Sequence, residues 1–173
     1  MEIRGKVTEF VRLRIIAARK EHEKEEFQNC SAMRTNSMKF LPNFFPRASI
    51  EKLFFCFPDP HFKRKNHPRR IVSERLLSEY AYLLKPKTRR LYCIPDVKDL
   101  HDWHVAKCDA HPLFRRLTDE ATDADPCVDA MKVETEEGQK VARNKGEKYY
   151  AVYERIESAE GLKVRANNFF ASS

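Results

Sequence analysis

Glycine is scarce in this sequence, with only four among 173 residues. Gly5, Gly138, Gly146 and Gly161 lie far apart, so the sequence contains no G-x-G turn of the kind that wraps a nucleotide. A nucleotide-binding fold therefore cannot be assigned from a glycine motif, and any such assignment must come from other residues.

Long apolar runs are also missing. The longest, residues 53–57, is far too short to span a bilayer, and no signal peptide is recognisable. The five cysteines form no C-x-x-C pair and are odd in number, which favours reduced thiols inside a cell. We therefore expect no membrane contact and a cytoplasmic or nuclear location.

Positive charge is what the sequence has in excess. Lys and Arg outnumber Asp and Glu by 33 to 26, which gives a net charge of +7 and a pI of about 9.2. This balance favours an anionic partner, although many basic proteins bind none. By length the chain is one domain. We expect that domain at residues 1–157, followed by a tail at residues 158–173.

The hydrophobic pattern alternates between helix and strand, which predicts an α/β sheet with helices on both faces. Residues 50–57 read as a strand that is buried on both faces. Ser73 is placed to cap the helix that follows it. Residues 118–127 read as an acidic loop. Further strands are predicted at 29–34, 90–94, 113–117 and 149–156, and helices at 6–26, 97–110 and 135–144.

The most informative segment follows the 50–57 strand. The apolar run stops at Pro58, the carboxylate of Asp59 follows at once, and a dense basic stretch comes after it. A strand end that combines an acid with many cations is where an α/β enzyme would hold a polyanionic substrate. The alternative is a strand that ends at a proline-rich turn with a solvated basic loop behind it.

The segment from Phe57 to Lys63, together with the basic stretch that ends at Arg70, closely resembles the signature of the tRNA (guanine-N7-)-methyltransferase family, F-P-D-P-h-x-K. Other blocks resemble the same family and follow its order. These blocks are residues 2–7, 33–45, 92–103, 111–114 and 135–144.

The resemblance implies a Rossmann-like sheet of the S-adenosylmethionine (AdoMet)-dependent methyltransferase type. It also implies that the first strand and the glycine-rich loop of that fold would lie before residue 1. We therefore expect an N-terminally truncated methyltransferase domain. The implied activity is AdoMet-dependent methyl transfer to N7 of guanosine in the variable loop of tRNA.

The resemblance assigns roles to individual positions. Asp59 matches the catalytic acid, and Lys63 and Asp96 match substrate contacts. The basic side chains expected to meet RNA phosphates are Arg64, Lys65, Arg69 and Arg70. The positions that match cofactor contacts are Glu2, Arg4, Asn36, Ser37, Cys56, Thr135 and Glu137.

Several of these residues also have a purely structural interpretation. Asp59 could form only the turn between two prolines, Asp96 could cap the next helix, and Thr135 with Glu137 could be a helix-capping arrangement. A metal site built from His101, His104 and Cys108 on one helix face is the weaker alternative, since the family uses no metal.

Two departures from the family pattern stand next to the matched positions. Residues 87–89 replace a Gly-Gly turn, which is tolerable only if no positive φ is needed. Pro95 replaces a threonine beside Asp96, which removes a hydroxyl and a backbone donor.

Eukaryotic members of this family work with a WD-repeat protein, so the resemblance allows for such a partner beside tRNA and slightly favours the nucleus. The alternative function is a non-catalytic tRNA-binding remnant, or a fragment that has lost the cofactor site.

Overall fold

The structure, a computed structural model, describes residues 1–21, 26–87 and 89–157. The chain divides into two units, Met1–Phe44 and Phe45–Ser173. The expected boundary between a domain at 1–157 and a tail at 158–173 stays a prediction, because the tail lies outside the described residues. Among the described helices, none is both long enough and apolar enough to cross a membrane.

The first unit is mainly helical. Helix α1 (Gly5–Glu21) confirms the helix predicted at 6–26 as far as residue 21, and residues 22–25 of that prediction lie outside the described ranges. Helix α2 (Ser37–Phe40) runs into a 3-10 turn at Leu41–Asn43. The strand predicted at 29–34 is wrong. That stretch contributes only an isolated parallel bridge between Glu2 and Arg34, in which the Glu2 amide donates to the Met33 carbonyl at 3.0 Å.

The second unit is built on a four-stranded sheet. Its strands are β1 (Lys52–Cys56), β2 (Arg90–Ile94), β3 (Phe114–Arg116) and β4 (Ala151–Arg155). They are arranged in the order β1-β2-β4-β3. β1 and β2 are parallel, and β4 runs antiparallel to both β2 and β3. All four strands were predicted, with ends that differ by up to two residues.

The parallel pair requires a crossover connection, which helix α3 (Glu74–Leu83) provides. Its start is set by the residue that the sequence indicated: the Ser73 hydroxyl accepts a hydrogen bond from the Leu76 amide at 3.4 Å. The apolar face of α3 is buried, with Leu77 and Leu83 fully inaccessible. This βαβ unit brings the carboxyl ends of β1 and β2 to the same edge of the sheet.

Helices cover both faces of the sheet, as predicted. On one face Phe54 stacks on Tyr92 at 4.5 Å, and Tyr92 belongs to a core cluster with Val128 and Met131 of helix α6 (Pro126–Val133). On the other face Phe55 packs on Tyr80 of α3 at 5.0 Å. Helix α4 (Lys98–Asp109) follows β2, and helix α7 (Glu136–Arg143) precedes β4. The mixed α/β sheet is therefore Rossmann-like.

Burial of β1 is lower than predicted. Phe54 is 40% exposed, although the strand was expected to be buried on both faces. Within the part of the chain that the structure describes, β1 is the edge strand of the sheet.

The acidic stretch at 118–127 is not a loop, so that prediction is wrong. Helix α5 (Asp119–Asp123) begins after Thr118, whose hydroxyl accepts from the Ala121 amide at 3.2 Å. Asp125 caps α6 in the same way, through a 2.9 Å hydrogen bond from the Cys127 amide. Asp119 and Glu120 lie in the first turn of α5 and Asp125 caps α6, positions where carboxylates are favourable, whereas Asp123 is the last residue of α5.

The turn before β2 also departs from expectation. Lys87 has a φ of 60°, so the turn that replaces Gly-Gly in the family does use the left-handed region. Its amide donates to the Arg155 carbonyl at 2.9 Å, which holds the turn against β4. A lysine tolerates this conformation at a cost of about 1 kcal/mol relative to glycine.

The Asp125 carboxylate yields a stability prediction. Its Oδ2 accepts from Arg90 Nη1 at 2.5 Å and from the Tyr92 hydroxyl at 2.7 Å, with its side chain 2% exposed. Burial alone would raise the pKa of Asp125, but the hydrogen bonds from Tyr92, the Cys127 amide and Arg90 outweigh it and hold the pKa below its ordinary value. Asp125→Ala is expected to lower the free energy of unfolding by about 3 kcal/mol in urea titrations.

The matched control is Asp129→Ala, an exposed first-turn acid of α6, with an expected loss below about 1 kcal/mol. Because the folded pKa of Asp125 is depressed, its contribution is complete above the ordinary value of 3.8 and is lost as pH falls through the folded value. Equal effects of the two substitutions at neutral pH would contradict this role.

Candidate active site

The site begins at the turn that follows β1. Cys56 pairs with Ile94, and the next amide, that of Phe57, donates to the Ile94 carbonyl at 2.7 Å. Phe57 then takes a φ of 50° and His61 a φ of 47°, so two non-glycine residues in the left-handed region flank Pro58-Asp59-Pro60. Such residues cost about 1–3 kcal/mol each and persist only where the surroundings fix them.

Asp59 occupies the middle of this turn with its side chain 72% exposed. Its Oδ1 accepts a 2.9 Å hydrogen bond from the His61 amide and lies 3.6 Å from His61 Nδ1. Within the described ranges, Oδ2 accepts no hydrogen bond. The turn-forming role of Asp59 therefore occupies one carboxylate oxygen and leaves the other open to a ligand.

Arg70 fixes the turn through contacts to Pro60 and to α4. It is 1% exposed, its Nε donates to the Pro60 carbonyl at 2.9 Å, and its Nη2 donates to Asp99 of α4 at 2.5 Å. The guanidinium also lies 4.8 Å from the centroid of the Trp103 ring. This arrangement corrects the prediction that Arg70 meets RNA phosphates, because its guanidinium is buried and already paired.

Trp103 is part of the same support. Its Nε1 donates to the Val72 carbonyl at 2.8 Å, and the His67 ring contacts its edge at 5.3 Å. The Asp59 turn, the basic segment and α4 are therefore joined by directed contacts that limit the movement of the turn.

The remaining cations of the basic segment are exposed. Lys63, Arg64, Lys65 and Arg69 all lie in or beside a 3-10 helix at Arg64–Arg69. Among the described residues, none of these four side chains forms an ion pair. Unpaired cations next to an exposed carboxylate make a surface on which phosphates can bind without displacing protein partners.

Asp96 follows the end of β2, at the same sheet edge as Asp59, and is exposed. The capping alternative for Asp96 is not supported, because Val97 is the N-cap of α4 and no side chain caps it. Pro95 does remove a donor here, but its carbonyl accepts from the Tyr149 amide at 3.0 Å and fixes the chain beside Asp96.

In the first unit, the matched cofactor positions lie around the Glu2–Arg34 bridge. Glu2 accepts from the Arg4 amide at 2.8 Å and from its guanidinium at 3.1 Å, which holds the pKa of Glu2 below its ordinary value despite partial burial. Asn36 caps α2 with its carbonyl oxygen, which leaves its amide nitrogen as a donor, and the hydroxyl of Ser37 is half-buried.

In the second unit, three further positions were matched to the cofactor. Thr135 caps α7: its hydroxyl accepts from the Gly138 amide at 3.1 Å and donates to the Met131 carbonyl at 2.8 Å. Glu137 pairs with Lys140 at 2.8 Å. Cys56 is exposed as a residue, but its thiol is partly buried. This burial, and to a lesser extent the electrostatic interaction with Cys93, raises the pKa of the Cys56 thiol.

The hydrogen-bonding groups of Glu2, Asn36 and Ser37 fit an adenosine. An ionised carboxylate suits ribose hydroxyls, and an amide nitrogen with a hydroxyl suits the adenine edge. Thr135 fits less well, because its hydroxyl is already engaged as donor and acceptor, which supports the capping interpretation. No group of three or more His, Cys, Asp or Glu side chains in the described part of the chain could hold a metal ion.

Sequence reasoning missed two features of the site. It did not separate Arg70, which is buried, from Arg69, which is exposed, although both stand in one basic run. It also passed over Phe62, which is 73% exposed and follows Asp59 by three positions. The first difference depends on an acid far along the chain, while the second was visible as an aromatic residue within a basic run.

The fold and the site define an α/β protein with exposed acidic and basic side chains at the carboxyl ends of its parallel strands. A family model described as "Putative methyltransferase" matches residues 1–151. The chain belongs to this methyltransferase family, which confirms the class of enzyme that the resemblance implied.

Curated relatives carry a more specific name, tRNA (guanine-N(7)-)-methyltransferase. A Yarrowia lipolytica protein of that name is 56% identical over 161 residues, and one from Meyerozyma guilliermondii is 55% identical over 162 residues. In both comparisons 92% of this chain is aligned, against 55% and 59% of the relative. The chain therefore spans about half the length of the curated relatives it matches.

The buried position of Arg70 generates a prediction. Arg70→Met removes the donor to Pro60 and the partner of Asp99, and we expect it to lower the free energy of unfolding by about 2 kcal/mol in urea titrations. The loss is moderate because Asp99 is 67% exposed and can be hydrated. Arg69→Met, next to it but exposed, is the control and should stay within about 0.5 kcal/mol of the parent. Equal losses of unfolding free energy for the two variants would refute the role of Arg70 in stabilising the Asp59 turn.

Proposed function

We propose that this chain carries the guanine-binding part of an AdoMet-dependent tRNA methyltransferase that methylates N7 of guanosine in the variable loop. The observation that carries the proposal is Asp59, an exposed carboxylate on a turn fixed by Arg70, with one oxygen and the neighbouring cations unpaired among the described residues. The names of the relatives support the same substrate.

The chemistry at N7 suits this carboxylate. N7 carries a lone pair and no proton, so its methylation needs alignment and stabilisation of the positive charge that the purine gains. Asp59 Oδ2 can accept hydrogen bonds from the N1–H and the exocyclic amino group of guanine, which orients the base. Its negative charge also favours the cationic product. No general base is required.

The neighbouring residues would hold the rest of the substrate. Lys63 follows Asp59 by four positions and would bind the guanosine phosphate, and Arg64, Lys65 and Arg69 would bind flanking phosphates. Such contacts give affinity and salt dependence but no base identity. Asp96, at the same sheet edge, would contribute a second acceptor for the substrate.

Cofactor binding is part of the same proposal. Bound AdoMet supplies an electrophilic methyl group on a sulfonium centre. Glu2 would accept hydrogen bonds from the ribose hydroxyls, with Arg4 holding its carboxylate in place, and Asn36 and Ser37 would contact the adenine. Cys56, Thr135 and Glu137 would serve the remainder of the cofactor, with Thr135 the weakest assignment because its hydroxyl is engaged.

A WD-repeat partner subunit and action in the nucleus extend the proposal, and both rest on the resemblance alone. Affinity purification of the tagged chain from cells would test the partner. Fluorescence imaging of the same tagged chain would test the location.

Substitution of Asp59 tests the catalytic role. Asp59→Asn keeps an oxygen that can accept from the His61 amide, so the turn is retained while the charge is lost. We expect kcat for tritium transfer from AdoMet to a tRNA transcript to fall by about 10²- to 10³-fold. Asp102→Asn, an exposed α4 acid paired with Lys98, is the control and should leave turnover unchanged. Unchanged turnover in the Asp59→Asn variant would contradict the catalytic role of Asp59.

Cofactor retention is tested by calorimetric titration of AdoMet into this chain, after a cooperative thermal melt is observed. We expect saturable binding that Glu2→Gln weakens, because the carboxylate that accepts from ribose is lost. A folded chain that binds tRNA but takes up no AdoMet would contradict the cofactor assignment and favour the non-catalytic remnant.

A further inference from the structure

Phe62 is the most exposed large apolar side chain among the described residues. Its exposed fraction is 73%, whereas the other large apolar residues exposed in the described part of the second unit are Phe54 at 40%, Tyr82 at 52% and Val133 at 60%. Phe54 is also stacked on Tyr92, while Phe62 has no ring contact in the described part of the chain. A single exposed phenyl ring is common on protein surfaces, so its chemical surroundings, and not its exposure alone, must indicate a function.

The backbone that leads to Phe62 is fixed by the contacts of the Asp59 turn. His61, with a φ of 47°, folds back so that its side chain is 23% exposed and lies against Asp59, and Phe62 continues away from it. Arg70 fixes the preceding Pro60 carbonyl at 2.9 Å. Because these contacts already order the backbone of the turn, little backbone conformational entropy is lost when the ring makes a contact.

The surroundings of Phe62 indicate the chemistry of its ligand. Asp59 stands three positions before it, and the exposed cations Lys63, Arg64 and Lys65 follow directly. A protein partner would favour a wider apolar patch than one ring among charges. An aromatic ring beside unpaired cations is instead the combination that binds single-stranded nucleic acid, where the ring stacks on a base and the cations meet the phosphates.

We propose that Phe62 stacks on an unpaired nucleobase of the RNA substrate, next to the guanosine that Asp59 binds. This inference rests on the proposed function, because it requires RNA as the ligand. Stacking supplies affinity for bases without sequence identity, and the carboxylate of Asp59 then selects guanine. Stacking by the ring also lets the surface discriminate a nucleic acid from polyanions without bases, which the cations alone cannot do.

The test compares two polyanions, of which only one has bases. The probes are a short single-stranded RNA and inorganic polyphosphate, with binding to the full chain measured by fluorescence anisotropy and by competition. Phe62→Ala is expected to weaken RNA binding by about 5- to 100-fold and to leave polyphosphate binding unchanged. Phe62→Trp should restore RNA affinity, and its indole fluorescence should be quenched by RNA and not by polyphosphate.

Two controls separate stacking from other effects. Tyr82→Ala removes an exposed aromatic side chain on α3, remote in sequence from the basic segment, and should change neither affinity. Lys65→Gln removes a cation. It should weaken the binding of both RNA and polyphosphate and reduce the dependence of RNA affinity on salt. Phe62→Ala should leave that salt dependence unchanged.

Other results would overturn the proposal. RNA binding that survives Phe62→Ala, with transfer still lost in the Asp59 variant, would reject the stacking role and keep the proposed function. An equal loss for RNA and polyphosphate would mean that the ring supports the turn and not a base. No RNA binding by the parent chain would reject both the stacking role and the RNA surface, whatever its uptake of AdoMet.

Discussion

The parallel pairing of β1 with β2 is the constraint on which the rest of the second unit depends. It places Cys56 beside Ile94, and therefore starts the Asp59 turn and the Asp96 segment from the same sheet edge. The 2.7 Å hydrogen bond from the Phe57 amide to the Ile94 carbonyl carries this register one residue past the strand. Since parallel strands need a crossover, the buried face of α3 is as necessary to the site as the strands themselves.

The Asp59 turn is strained at two positions, and the structure balances that strain with directed contacts. Phe57 and His61 in the left-handed region would relax in a free loop. Arg70 prevents this, because its buried guanidinium binds Pro60 on one side and Asp99 of α4 on the other. A buried arginine thus keeps an aspartate exposed. Charge has two uses within one basic run: one cation organises the turn, and the others face solvent.

Much of the fold could be predicted from the sequence because local signals agreed with the tertiary structure. Ser73 precedes an amphipathic run and does cap α3, and residues 90–94 form β2 with the predicted bounds. The prediction of a loop at 118–127 was wrong because acidic residues are common both in solvated loops and at helix N-termini. Only the hydrogen bonds of Thr118 and Asp125 show that helices begin there.

The candidate site was predictable in its components but not in its arrangement. The strand-Pro-Asp pattern located Asp59, since the end of an apolar run sets where a turn must begin. The separation of Arg70 from Arg69 could not be predicted, because it depends on Asp99, 29 residues further along the chain. The positive φ of Lys87 was also out of reach, since its turn is held by the distant Arg155 carbonyl.

The central claim is that the open oxygen of Asp59 recognises guanine. Its most direct test is the affinity of the chain for a short RNA with a single guanosine, compared with the same RNA carrying inosine, which lacks the exocyclic amino group. The account predicts that inosine binds about tenfold more weakly, as expected for one hydrogen bond to a charged acceptor, and that Asp59→Asn removes the difference. Equal affinities for the two RNAs in the parent chain would contradict it.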